Sequence, residues 1–224
     1  MTARVARFRR IATGLSFLGA GLLTLVGMGL TPWEGSDDAR AYVQALADHP
    51  TRAQVAPLFL HYGFALFAPA LFGALALVRG RGATLGHIAA IAAVLGLTSI
   101  PGILIIDWYD LALAQRYGVE EAAAFRQTME ESYPLLLLLV VPAGLGFLAA
   151  LIVLPFALWR AGHAPLWLAI ANAVAVLLGE AAPPVLWMMM AAFGVVFLAY
   201  AYLGARILRM DDAAWDGAAP AARA

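Results

Sequence analysis

The chain has 224 residues, 63% hydrophobic and 12% charged, against roughly half and about a quarter in ordinary soluble domains. With a mean hydropathy of +0.84, a soluble globule is excluded. Fourteen arginines balance fourteen acids, leaving no basic surplus for a nucleic-acid partner, and the absence of cysteine and lysine removes disulfides, thiolate metal sites and Schiff-base chemistry.

In hydrocarbon each backbone amide must be satisfied within its own segment, so a non-alternating apolar run of about 20 residues reads as a spanning helix. The first run, near 11–30, follows Arg4, Arg7, Arg9 and Arg10. It is longer than a signal-peptide core of about 7–15 residues, and Gly29-Leu30-Thr31-Pro32-Trp33 is no small-residue cleavage site, so a retained helix is expected. Beyond it, Asp37 and Asp38 open a stretch in which Tyr42, Val43 and Leu46 share a side before Pro50 stops it. That pattern predicts a short amphipathic helix.

The second and third spans fall near 55–78 and 85–106, joined by Arg79-Gly80-Arg81. A second short amphipathic helix follows. Val119, Ala122, Phe125, Met129 and Tyr133 recur at helical spacing, with Glu120, Glu121, Glu130 and Glu131 elsewhere on the wheel. Such helices either cover the mouth of a bundle or rest among lipid headgroups. The fourth span lies near 134–158. The remaining apolar stretch is too long for one crossing and divides at Pro183-Pro184 into spans near 165–182 and 183–206. The Ala-rich, acidic tail 211–224 lacks the apolar periodicity to pack and is expected to be disordered. The expected fold is therefore all-α, a polytopic bundle of six transmembrane helices with two short outer amphipathic helices.

Arginine placement tests the count, because short cytoplasmic loops carry the basic excess. Alternate segments separate Arg4, Arg7, Arg9, Arg10, Arg79, Arg81, Arg160, Arg206, Arg209 and Arg223 from Arg40, Arg52, Arg116 and Arg126. Both termini are thus expected in the cytoplasm.

An ionisable group inside a span is costly and is a functional hypothesis by default. His61 falls about six residues into the second span, sharing a face with Ala65, Ala68 and Phe72. Small residues mark helix contact surfaces, so this face is expected to point inward. Glu180 reaches a similar depth from the fifth span, on a face with Ala169, Ala173 and Val176, and Asp107 ends the third span beside Trp108, Tyr109 and Asp110. A neutral histidine beside a carboxylate makes a pair able to hold or relay a proton. The bland alternatives are a solvated boundary acid at Asp107 and mere helix-locking bonds at His61 and Glu180. His87 and His163 lie too far across the bilayer to join His61 on one haem. Trp187-Met188-Met189-Met190 fans around its helix and converges on no metal. No cofactor or metal is expected.

The strings Thr31-Pro32-Trp33-Glu34, Leu60-His61-Tyr62-Gly63-Phe64 and Asp107-Trp108-Tyr109-Asp110-Leu111 resemble those of small multi-pass membrane proteins predicted from actinobacterial genomes. The resemblance implies bacterial origin and inner-membrane placement, and transfers no functional residue.

Three functions are expected in order. The first is an outward-facing pocket of His61, Tyr62, Asp107 and Glu180 that binds or transports a small or amphipathic ligand, with or without a proton. The second is a non-catalytic scaffold in which these residues lock helices for a membrane partner or a second copy of the chain. The third is an enzyme using His61 and a carboxylate as base and acid on a lipid-soluble substrate.

Overall fold

The computed structural model describes residues 3–32, 38–181 and 185–216. Among these, α1 (Ala3–Leu30), α3 (Pro50–Ala74), α4 (Ala83–Tyr117), α6 (Leu137–Arg160), α7 (Leu166–Ala181) and α8 (Leu186–Arg209) form the bundle, with α2 (Ala39–Asp48), α5 (Val119–Ser132) and α9 (Asp212–Asp216) outside it. Five of the bundle segments are long and apolar enough to cross a membrane, and α7 is a shorter apolar helix. The Pro183-Pro184 break lies outside the described residues.

Successive contacts close a ring. α1 packs on α3, α3 on α4, α4 on α6, α6 on α7, α7 on α8, and α8 returns to α1. Glycine sets the closest approaches. A Cβ on Gly146 of α6 would lie 2.7 Å from the Ala92 carbonyl of α4, and one on Gly204 of α8 would lie 2.7 Å from the Gly14 carbonyl of α1. Inside the ring stands a column of aromatic side chains. Phe64 and Phe67 meet Phe147 edge-on at 4.7 and 5.5 Å, Phe67 meets Tyr200 at 5.1 Å, and Tyr200 stacks on Phe17 at 5.5 Å. Four helices are joined through these rings.

One proline explains the polar atoms beside this column. Pro155 lies four residues after Leu151 in α6 and has no N–H to give it. The Leu151 carbonyl instead accepts from Asn172 Nδ2 of α7 at 2.9 Å and from the Tyr200 hydroxyl of α8 at 3.0 Å. A helix defect is thereby turned into a tie between three helices. Tyr200→Phe should lower stability by about 1 kcal/mol, because Asn172 still serves the carbonyl. In a Pro155→Ala background, where α6 supplies its own donor, the same substitution should cost less; thermal unfolding of the four proteins in detergent measures the difference.

Arginines close several helix ends. Arg52 donates to the carbonyls of Gly29, Leu30 and Thr31 at 3.1 to 3.3 Å. Arg10 donates to Leu208 at 2.5 Å and pairs with Asp212 at 3.0 Å. Unsatisfied C-terminal carbonyls and the negative end of the helix dipole favour cations there. These arginines thus have local partners as well as a place in the charge pattern.

Two expectations are corrected. The tail is ordered through Asp216: the Asp211 carboxylate caps the Ala214 amide at 2.6 Å, Arg10 holds Asp212, and Trp215 is 1% exposed against the bundle. A five-residue helix anchored by one large ring needs no amphipathic repeat. Residues 217–224 lie outside the described part. The helix of the third predicted span also does not end near Asp107. α4 runs on for ten more residues to Tyr117 and stops at Gly118, whose φ of +95° only glycine adopts readily.

Candidate functional site

The extension of α4 is a platform for α2 and α5, and all three pack together. The amphipathic patterns read from the sequence supply the contact. Val43 of α2, Ala114 of α4 and Ala122 and Ala123 of α5 form one small core, and Leu46, Ala53 and Leu111 form another. Asp38 opens α2 as its N-cap, its carboxylate accepting from the Ala41 amide at 3.0 Å. The two short helices pack on the extension of α4, and α2 also meets α3.

Between these helices lies a partly buried ionic cluster. The Tyr42 hydroxyl donates to Asp107 Oδ1. One turn on, Asp110 is 4% exposed, and its Oδ2 accepts from Arg126 Nη1 at 2.6 Å. Arg126 Nε lies 3.2 Å from Glu130, one turn along α5, and its guanidinium stands 4.2 Å over the Tyr42 ring. Burial raises the Tyr42 pKa and the adjoining Asp107 charge raises it further, so the phenol remains a proton donor. A separate, exposed pair joins Arg40 to Glu120 at 2.7 Å.

Beside this cluster α4, α5 and the start of α6 line an open cavity of about 550 Å³. Its walls are apolar, with Ile103 and Ile106 of α4, Met129 of α5 and Leu137 of α6 typical, and Asp110, Arg126 and Glu130 line it as charged groups, beside Tyr109, Phe125 and Tyr133. A groove of about 630 Å³ between α7 and α8 is lined by apolar residues alone and has no group to orient a ligand.

The four residues expected to converge do not. Asp107 belongs to the cluster, with Tyr42 as its partner. His61 and Tyr62 are exposed on α3, their rings 5.2 Å apart. The face with Ala65 and Phe72 is turned outward, because α3 meets α1 through Gly63 and Gly73 against Thr24 and Thr13. Glycine permits a closer approach than alanine, and it decides which side of α3 is buried. Glu180 is exposed near the end of α7, beside a narrow crevice of α6 and α8 that includes Leu148 and Phe193. An acid–base pair of His61 with a cluster carboxylate is therefore not assembled.

The cluster adds Tyr42, Asp110, Arg126 and Glu130 to Asp107, none of the four being expected at a site. Spacing carried a signal: Asp107 and Asp110 are one turn apart if α4 continues, as are Arg126 and Glu130 on α5. Among the described residues no three histidines or carboxylates converge as a metal site. No protein-family model, curated protein or solved structure matches the chain.

Proposed function

We propose that this chain is a bacterial inner-membrane protein of six spans, with both termini cytoplasmic, that binds an amphipathic ligand in the cavity between α4, α5 and α6. The orientation rests on the ten arginines of one set of segments against four of the other. The binding reading rests on one observation, an apolar cavity of about 550 Å³ that carries its charged residues, Asp110, Arg126 and Glu130, together. Pockets of several hundred Å³ with apolar walls and a few placed polar groups are the usual form of small-molecule sites. An alkyl chain fits against Ile103, Ile106 and Leu137, and a polar head against the cluster.

Ile106→Trp, which adds a ring at the cavity wall, tests this reading. The substituted protein should insert and fold, yet lose the amphiphiles that mass spectrometry finds retained by the unsubstituted protein after purification. An unchanged set of retained molecules would reject it.

A second reading, a non-catalytic scaffold, is favoured by a different observation: Tyr42, Asp107, Asp110 and Arg126 satisfy one another across α2, α4 and α5. Under that reading no amphiphile is retained, and Ile106→Trp changes only thermal stability.

A further inference from the structure

The charge of the cluster is not balanced. Arg126 is paired with Asp110 and Glu130, and Asp107, bonded to Tyr42, adds a third carboxylate to the cluster, three negative charges against one positive when all are ionised. The imbalance extends over the whole capped end, where residues 38–54 and 107–132 carry eight carboxylates and four arginines. Asp110 is 4% exposed and lines the cavity, and its Oδ2 holds Arg126. A carboxylate can accept at more than one lone pair, so a ligand N–H can add a charge-assisted hydrogen bond to Asp110 beside that of Arg126. Tyr109, Phe125 and Tyr133 line the same cavity and offer ring faces, which attract cations.

From this geometry we infer that the ligand is a cationic amphiphile, a long-chain amine whose ammonium group donates to Asp110 and lies between Glu130 and the aromatic rings, with its chain along Ile103, Ile106 and Leu137. The inference rests on the cavity's being a ligand site, as proposed above, and adds the sign of the head group. An anionic head would meet an excess of carboxylates, and Arg126 is already engaged by Asp110 and Glu130.

The experiment is equilibrium dialysis of the full chain in phosphatidylcholine nanodiscs, with empty nanodiscs subtracted, against dodecylamine, dodecyl phosphate and dodecanol at neutral pH. Dodecylamine is expected to bind saturably, about tenfold or more tighter than the other two, the equivalent of about 1.4 kcal/mol. Glu130→Gln alters a side chain 58% exposed, so folding is retained; it should weaken dodecylamine severalfold and leave dodecanol unchanged. Equal or tighter binding of dodecyl phosphate or dodecanol, or a Glu130→Gln protein that binds dodecylamine as before, would overturn the cationic assignment and leave the cavity reading in place. Saturable binding of none of the three would overturn both.

Discussion

Gly96→Leu is expected to cause the largest loss of stability of any single substitution considered, with a Tm in detergent lower by roughly 10 °C. The cause is a crossing of two backbones. A Cβ on Gly96 of α4 would fall against the backbone nitrogen of Phe147 in α6, with the Phe147 Cα at 2.7 Å. A backbone cannot rotate aside as a side chain can, so α4 and α6 must separate. The separation would also part the Phe147 ring from Phe64 and Phe67, which meet it at 4.7 and 5.5 Å. Association of helices in lipid depends on such close van der Waals packing, because burying apolar surface against another helix gains little over burying it against lipid. Gly144→Ala is the control. Gly144 also lies in α6, but its added Cβ would meet nothing within 4 Å, and the gain in helix propensity should leave stability unchanged or raise it by up to about 1 kcal/mol. Equal melting of the Gly96→Leu protein and the unsubstituted one would show that the α4–α6 crossing is looser than described.

Arg126→Ala should rank second, at about 3 kcal/mol. It leaves Asp110, whose side chain is 6% exposed, without its 2.6 Å partner, and removes the cation over the Tyr42 ring. The loss comes mostly from the stranded carboxylate and little from the pair itself, because desolvation cancels much of the attraction between buried charges. The double substitution Arg126→Met with Asp110→Leu should therefore recover most of the stability, and Glu130→Gln, which touches an exposed partner, should change it by less than about 0.5 kcal/mol. Thermal unfolding of the three variants decides the matter. If the double substitution is no more stable than Arg126→Ala alone, the cluster contributes favourable energy of its own and is more than a compensated cost.

Much of the fold was legible because its signals are local. Runs of apolar residues mark the helices of the ring, although α7 is short, and the spacing of Tyr42, Val43 and Leu46 and of Ala122 and Met129 marked α2 and α5 before any contact was known. At the end of α4 and on α3 the local cue points the wrong way. Asp107 and Asp110 looked like the end of a span, since charges belong outside hydrocarbon. The helix continues through them because Leu111 and Ala114 find buried places under α2 and α5, which no window on α4 alone reveals. On α3 the alanines near His61 suggested the packed side, while the glycines at 63 and 73 carried it.

By itself the sequence determined an all-helical chain too apolar to be a soluble globule, the places of most of its helices though not the end of α4 or the existence of α9, and the segregation of arginine between alternate segments, because hydropathy, proline and charge act over one or two turns. Which faces meet, and hence that Asp107 joins Tyr42 while Asp110 joins Arg126 across 16 residues of chain, was decided only by the tertiary structure. Side-chain direction on an apolar helix depends on how closely its neighbours can approach. That distance is a property of pairs of helices, set here by glycines on both partners, and no single segment carries it.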